Sequence, residues 1–318
     1  MPQEIIINKQ SIGLGEHVLT RLNISRLPSG TIIDIPVHVY RGQEDGPVLL
    51  LMAGMHGDEV NGVEVIRRLI RRKMIKPERG TVIAIPILNI YGFLNFSREV
   101  PDGKDVNRSF PGDNRGSLAS RVANAFVSEI LPWIDYGIDF HTGGASRTNF
   151  PQIRCILDIP DNEKLAYAFG APFIINASFR AKSLRKEASR YQKSIIVYES
   201  GESLRFDEKG IQIALEGTLR VLDVLDIQKS NVATAKEPIV CLKTNWVRAK
   251  VAGLFRSKVT PGQFIRKGQA IGSIADPYGD MSVRIKSQYT GYVIGLNNMP
   301  VVNQGDAIAN IGIEKEAN

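Results

Sequence analysis

Cysteine is nearly absent: the 318 residues hold only Cys155 and Cys241, far apart and without paired-thiol spacing. A disulfide framework is thereby excluded, and a reduced, cytoplasmic setting is expected. No apolar run approaches the roughly 18 residues needed to cross a bilayer, so no membrane partner is expected. The opening Met1-Pro2-Gln3-Glu4 has neither the basic nor the apolar region of a signal peptide. Aromatic residues make up 7% of the chain and do not interleave with basic ones as a base-stacking surface would, so no nucleic-acid partner is expected.

The composition that is present is ordinary for a globular protein, 43% hydrophobic and 23% charged, with a formal net charge of +7. The length suits one large and one small domain. Basic residues cluster at Arg67-Arg68 and Arg71-Arg72-Lys73, but Val63, Ile66, Leu69 and Ile70 recur at helical spacing beside them. That cluster reads as the solvated face of an amphipathic helix. The overall positive field would still draw small carboxylates towards a cleft.

The stretch Val48 to Glu59 organises the rest. Its aliphatic run is bounded by Pro47 and Gly54 and reads as a buried strand. His56 and Glu59 come next, in the turn before a helix beginning near Val60. In open α/β sheets ligands collect beyond the carboxyl ends of the strands. An imidazole and a carboxylate there suit Zn2+, whose commonest catalytic sets leave one position for water. The bland alternative is a turn histidine beside a helix-start glutamate.

Further along, residues 81–88 form a second buried strand, and residues 135–141 a third that ends on His141. Between them lies a long loop, residues 91–114, of the kind that is usually functional inside a compact domain. Further strands are expected at 153–157, 173–176 and 194–198, and helices at 117–131, 162–170, 184–191 and 208–225. Strand–helix alternation predicts an α/β fold: a mixed, mostly parallel sheet with helices on both faces. A polar stretch, 228–240, reads as a linker. From 241 to 318 the chain turns to short strands with many glycines. There Gly253-Leu254-Phe255 and the strands after it are echoed by Gly291-Tyr292-Val293. This internal repeat suggests a small all-β barrel-sandwich domain like those of lipoyl and biotinyl carriers. The turn that would carry their modifiable lysine reads Asp276-Pro277-Tyr278-Gly279-Asp280, so a structural or cleft-gating role is expected.

Three candidate ligands therefore stand at strand ends: His56, Glu59 and His141. Asp139 shares a strand face with His141, where it could accept a hydrogen bond from the imidazole and fix its tautomer, or pair elsewhere. Glu199, closing the last apolar strand, is the candidate base, with Glu202 as the alternative. Arg98, Asn107 and Arg108 in the long loop supply candidate cations and polar groups, arginine being suited to gripping a carboxylate in two places. His17 and His38 lack ligand neighbours at a useful spacing.

Four segments, taken in order, resemble the succinylglutamate desuccinylase/aspartoacylase family of zinc carboxypeptidase-like hydrolases. They are His56-Gly57-Asp58-Glu59, Asn107-Arg108-Ser109-Phe110-Pro111-Gly112, Asp139-Phe140-His141-Thr142-Gly143-Gly144 and Tyr198-Glu199-Ser200-Gly201-Glu202. The resemblance covers roughly residues 40–226 and the small C-terminal domain; a catalytic domain is expected over residues 1–227, with 1–46, where short alternating segments are broken by glycines, as an antiparallel β lead-in. The resemblance implies one zinc per chain on His56, Glu59 and His141, with Glu199 as general base and acid. Arg98 would polarise the scissile carbonyl, and Asn107 and Arg108 would hold a substrate carboxylate, completed by Arg185 or Arg190. The expected activity is hydrolysis of the amide of an N-acyl amino acid or similar small carboxylate-bearing substrate. A carboxypeptidase acting on a peptide or modified tail is the second reading, and a catalytically silent binding protein the third. A buried Arg108 would be costly without an anion, which strengthens the expectation of a free carboxylate beside the amide. Homo-oligomerisation is left open.

Overall fold

The computed structural model describes residues 4–26 and 29–314; Met1 to Gln3, on which the reading of the N-terminus partly rests, lie outside the described residues. The strands are β1 Ile5–Ile7, β2 Gln10–Ile12, β3 His17–Arg26, β4 Ile32–Arg41, β5 Glu44–Met52, β6 Arg79–Ile85, β7 Tyr136–Gly143, β8 Arg147–Cys155 and β9 Phe173–Asn176. They continue with β10 Ser194–Glu202, β11 Ile239–Arg248, β12 Gly253–Ser257, β13 Phe264–Ile265, β14 Ala270–Ala275, β15 Ser282–Lys286, β16 Gly291–Asn297, β17 Val301–Val302 and β18 Ala307–Glu314. The helices are α1 Val60–Arg71, α2 Ile90–Leu94, α3 Leu118–Glu129, α4 Pro160–Phe169, α5 Leu184–Arg190 and α6 Glu208–Val224.

The expected α/β class does not hold. Strand accounts for 38% of the chain and helix for 21%. Twelve strands form one sheet in the order β13-β16-β18-β11-β9-β8-β10-β7-β5-β6-β4-β3. Among its described neighbours only β5–β6, β5–β7, β7–β10, β8–β9 and β9–β11 run parallel. An additional pairing of β16 with β8 closes β8, β9, β11, β18 and β16 into a five-stranded mixed barrel. The reason is physical: strand–helix alternation reports only the succession of elements along the chain, whereas pairing is settled by distant segments. β8 runs back antiparallel on the far side of β10, and β11 from beyond the polar stretch joins β9 in parallel.

The parallel core of the sheet nonetheless explains its burial. Leu49 and Leu51 pack with Val65, Ile66 and Leu69 of α1 and with Leu215 and Leu222 of α6. Leu50 and Met52, pointing the other way, pack with Val122, Ala123 and Phe126 of α3. This is the period-two alternation of a strand covered on both sides. A third core, including Val247, Ile274, Ile285 and Ile311, lies among the C-terminal strands. The echo seen there in sequence has a backbone counterpart. Gly253 and Gly291 take φ of +148° and +153°, and a Cβ on either would run into a strand carbonyl, that of Ala275 or Gly312.

Candidate active site

β5, β7 and β10 lie side by side in parallel, with Met52 opposite Asp139 and His141 opposite Glu199. Their carboxyl ends therefore open together on one cavity of about 730 Å³. The turn after β5 is held tightly. Gly57 packs so closely on Gly92 that a Cβ would fall 1.8 Å from its carbonyl carbon. Glu59 occupies the N-cap position of α1 but makes no side-chain cap. Its carboxylate turns instead to the two histidines, which removes the bland helix-start reading.

His56 Nδ1 lies 2.8 Å from Glu59 Oε1, His141 Nδ1 lies 2.8 Å from Glu59 Oε2, and the two Nδ1 atoms are 3.2 Å apart. All three side chains are buried, and their ligand atoms lie within 4.8 Å of one another. Tetrahedral zinc with bonds of ~2.0–2.1 Å needs donors about 3.3 Å apart, so the set fits the ion with slight expansion. Asp139 Oδ2 stands 2.9 Å from His141 Nε2, which leaves Nδ1 as the atom facing the set. The backbone N–H of Thr142 donates to Glu59 Oε2 at 3.1 Å.

The electrostatics call for positive charge at this point. Burial pushes Glu59 up, yet His56 and His141 override it and hold the carboxylate well below its ordinary range. Burial pulls His141 down, but Asp139 and Glu59 raise it well above an ordinary imidazole. His56 is raised in the same way, with Glu59 and Asp105 outweighing burial. These shifts all favour positive charge within the group, a demand that a divalent cation would also meet.

Around this centre stand most of the residues singled out in sequence. Arg98 places Nη1 3.2 Å from His56 Nδ1 and is gripped through Nε and Nη2 by Asp105 Oδ2 at 3.2 and 2.9 Å. Asn107 Oδ1 accepts from the N–H of Leu184 at 3.0 Å, tying the loop to the start of α5. Arg108 lines the cavity and is exposed overall; partial burial still lowers its pKa, but it is not the buried cation expected. The more deeply set cation is Arg185. Its Nη2 donates to the Ala177 carbonyl at 2.8 Å, its buried Nε has no partner, and its guanidinium lies 5.4 Å from the Phe179 ring centre. Arg190 instead pairs with Glu187 at 2.8 Å, away from the cavity. Glu199 lines the cavity, whereas Glu202 accepts from Asn298 Nδ2 at 2.8 Å and does not.

Residues 45–225 match the succinylglutamate desuccinylase/aspartoacylase catalytic domain. The chain belongs to this family. It is 31% identical to the N-alpha-acetyl-L-2,4-diaminobutyric acid deacetylase of Halomonas elongata, over 92% of this chain and 90% of that one. A succinylglutamate desuccinylase/aspartoacylase from Rhodobacter sphaeroides superposes with a TM-score of 0.83 at 27% identity, covering 94% of this chain and 96% of that one. The product-bound ectoine utilization protein of Ruegeria pomeroyi gives a TM-score of 0.82 at 25% identity, covering 94% of each chain. Membership and the deacetylase relative support a hydrolase acting on amide bonds. No helix among the described residues is long and apolar enough to cross a membrane.

Several contributors in this family member escaped the sequence reading. Asp105 anchors Arg98 and stands 3.4 Å from His56 Nε2; its signal was an acidic residue two places before Asn107, where its Oδ1 caps the backbone N–H at 2.7 Å. Arg154 and Asn149 of β8 reach the cavity, as do Thr244 and Trp246 of β11. A charged residue between Ile153 and Cys155 was the available hint for Arg154.

Proposed function

We propose that this chain is a zinc-dependent deacylase that hydrolyses the amide of an N-acyl amino acid or a similar small carboxylate-bearing amide. The observation that carries the reading is the convergence of His56, Glu59 and His141 on one point of a cavity that also holds Glu199 and several arginines. His56, Glu59 and His141 would hold the ion, oriented by Asp139 and Asp105. Bound zinc supplies Lewis acidity, which polarises a carbonyl and makes water acidic enough to serve as nucleophile near neutral pH. Glu199 takes the proton from the attacking water and returns it to the leaving amine. Arg98, held by Asp105, faces the carbonyl oxygen as charge develops there. Arg185, with Asn107 and Arg108 at the rim, holds the substrate carboxylate, as a guanidinium suits that group's geometry.

The test is elemental analysis of the purified protein combined with a hydrolysis screen of N-acyl amino acids and short peptides. About one zinc per chain and release of free amino acid from N-acyl substrates are expected. A metal-free protein that cleaves nothing in the set, or one that cleaves only peptides, overturns the reading.

A further inference from the structure

Glu199 is held by one of its two oxygens. Asn149 donates its Nδ2 to Glu199 Oε2, and Arg154 Nε stands 3.3 Å from that same Oε2. Among the described residues no hydrogen bond or ion pair engages Oε1. Both holding groups come from β8, which runs antiparallel to β10 with Arg154 opposite Val197 and Asn149 opposite Gly201. The register slips between Glu199 and Gly201, and this bulge lets two residues five apart on β8 reach one carboxylate. The first half of β8 is bound in turn by β16, where Gly295 lies opposite Asn149. The contact is close: a Cβ on Gly295 would meet Asn149 Oδ1 at 2.8 Å.

On the deacylase reading above, these contacts acquire a purpose. We infer that Asn149 and Arg154 are positioning residues that fix Oε2 of Glu199 so that Oε1 carries the proton, and that C-terminal strand β16 sets this clamp through Gly295. A carboxylate that accepts a proton and then returns it must present the same oxygen in both steps. Free rotation about its side chain would divide the population among unproductive geometries, and a misplacement of about 1 Å can cost ~100-fold in rate. The hydrogen bond from Asn149 and the nearby Arg154 cation, an ion pair without hydrogen-bond geometry, act on one oxygen and restrain that rotation. The barrel closure that joins β16 to β8 thus gives the C-terminal strands a part in the chemistry without contact with the reacting atoms.

The test uses the zinc-loaded full chain with N-acetyl-L-2,4-diaminobutyric acid and N-acetyl-L-aspartic acid as probes, reading kcat, KM, zinc content and Tm. Asn149→Ala and Arg154→Met are each expected to lower kcat roughly 10- to 100-fold, part of the general acid–base contribution, with KM and zinc content little changed. Arg154→Lys should recover part of the loss. Gly295→Ala should lower kcat as Asn149→Ala does, and the double variant should lose no more than either alone, since both act on one contact. Asn298→Ala, which severs bonds of the same segment to Thr148 and Glu202, should leave kcat unchanged. Normal kcat in both Asn149→Ala and Arg154→Met overturns the inference. So does a loss carried by KM or by zinc, which would make these residues substrate or structural groups. If Gly295→Ala does not fold, the Asn149 and Arg154 variants still decide the clamp, and full additivity in a folded double variant overturns the role of β16. A wild-type chain that cleaves neither probe and no other N-acyl amino acid overturns the deacylase reading first, and the inference with it.

Discussion

Asp139→Ala is the substitution whose consequence can be worked furthest from the geometry. Asp139 is 1% exposed and contacts His141 Nε2 at 2.9 Å through Oδ2. The carboxylate keeps the proton of His141 on Nε2, so that Nδ1 presents its lone pair towards Glu59 and His56. Alanine removes that restraint, and the imidazole can then adopt the tautomer with its proton towards the ligand set, which opposes a cation. Losing such a supporting contact typically costs ~10–100-fold in metal affinity, or about 1.4–2.8 kcal/mol. Asp139→Asn should lose less, because an amide oxygen can still accept from Nε2 while the negative charge is gone. The assay is competition for zinc against a chelator of known affinity, run on the purified wild type and both variants with folding measured in parallel. Equal zinc affinity in all three folded proteins would refute the argument. So would an Asn variant weaker than the Ala variant.

Glu199→Gln should keep zinc and lower kcat by ~10²–10⁴-fold, whereas Glu202→Gln should change it little; the reverse pattern in steady-state kinetics would mean that the wrong carboxylate had been chosen. Arg185→Met should weaken carboxylate-bearing substrates by about 2–5 kcal/mol, the cost of leaving a buried charge partner unpaired, and should do so far less for their amidated analogues; equal losses for acid and amide would remove Arg185 from substrate recognition. Gly57→Ala should destabilise the chain or abolish folding, because its Cβ would overlap the Gly92 carbonyl carbon; a variant with wild-type Tm and zinc content would contradict the close approach.

Much of the candidate site was legible because its residues sit where short-range pattern is strongest. Apolar strands announce themselves by composition, and a polar residue at their carboxyl end has few structural reasons to be there. His56, His141 and Glu199 were found in that way, and the helices of residues 60–71, 118–129 and 208–224 by their spacing of apolar side chains. Asp139 required only the two-residue period of a strand. The resemblance to a known family added the roles expected of Arg98, Asn107 and Arg108.

Tertiary structure alone decided the fold class, the burial of each arginine and the contacts around Glu199. Nothing local in β8 says that it lies antiparallel to β10 and parallel to β9, or that β16 returns to close a barrel, because strand partners are chosen by competition among segments far apart in sequence. The same holds for desolvation: Arg108, in a distinctive loop, ends up exposed, while Arg185, on an ordinary amphipathic helix, ends up largely withdrawn from water beside the Ala177 carbonyl. Asp105, Asn149 and Arg154 contact partners up to 50 residues away, as Asn149 does Glu199. The sequence determined which side chains could do chemistry, since that depends on residue type and strand ends; which of them touch was left to the packing of the whole chain.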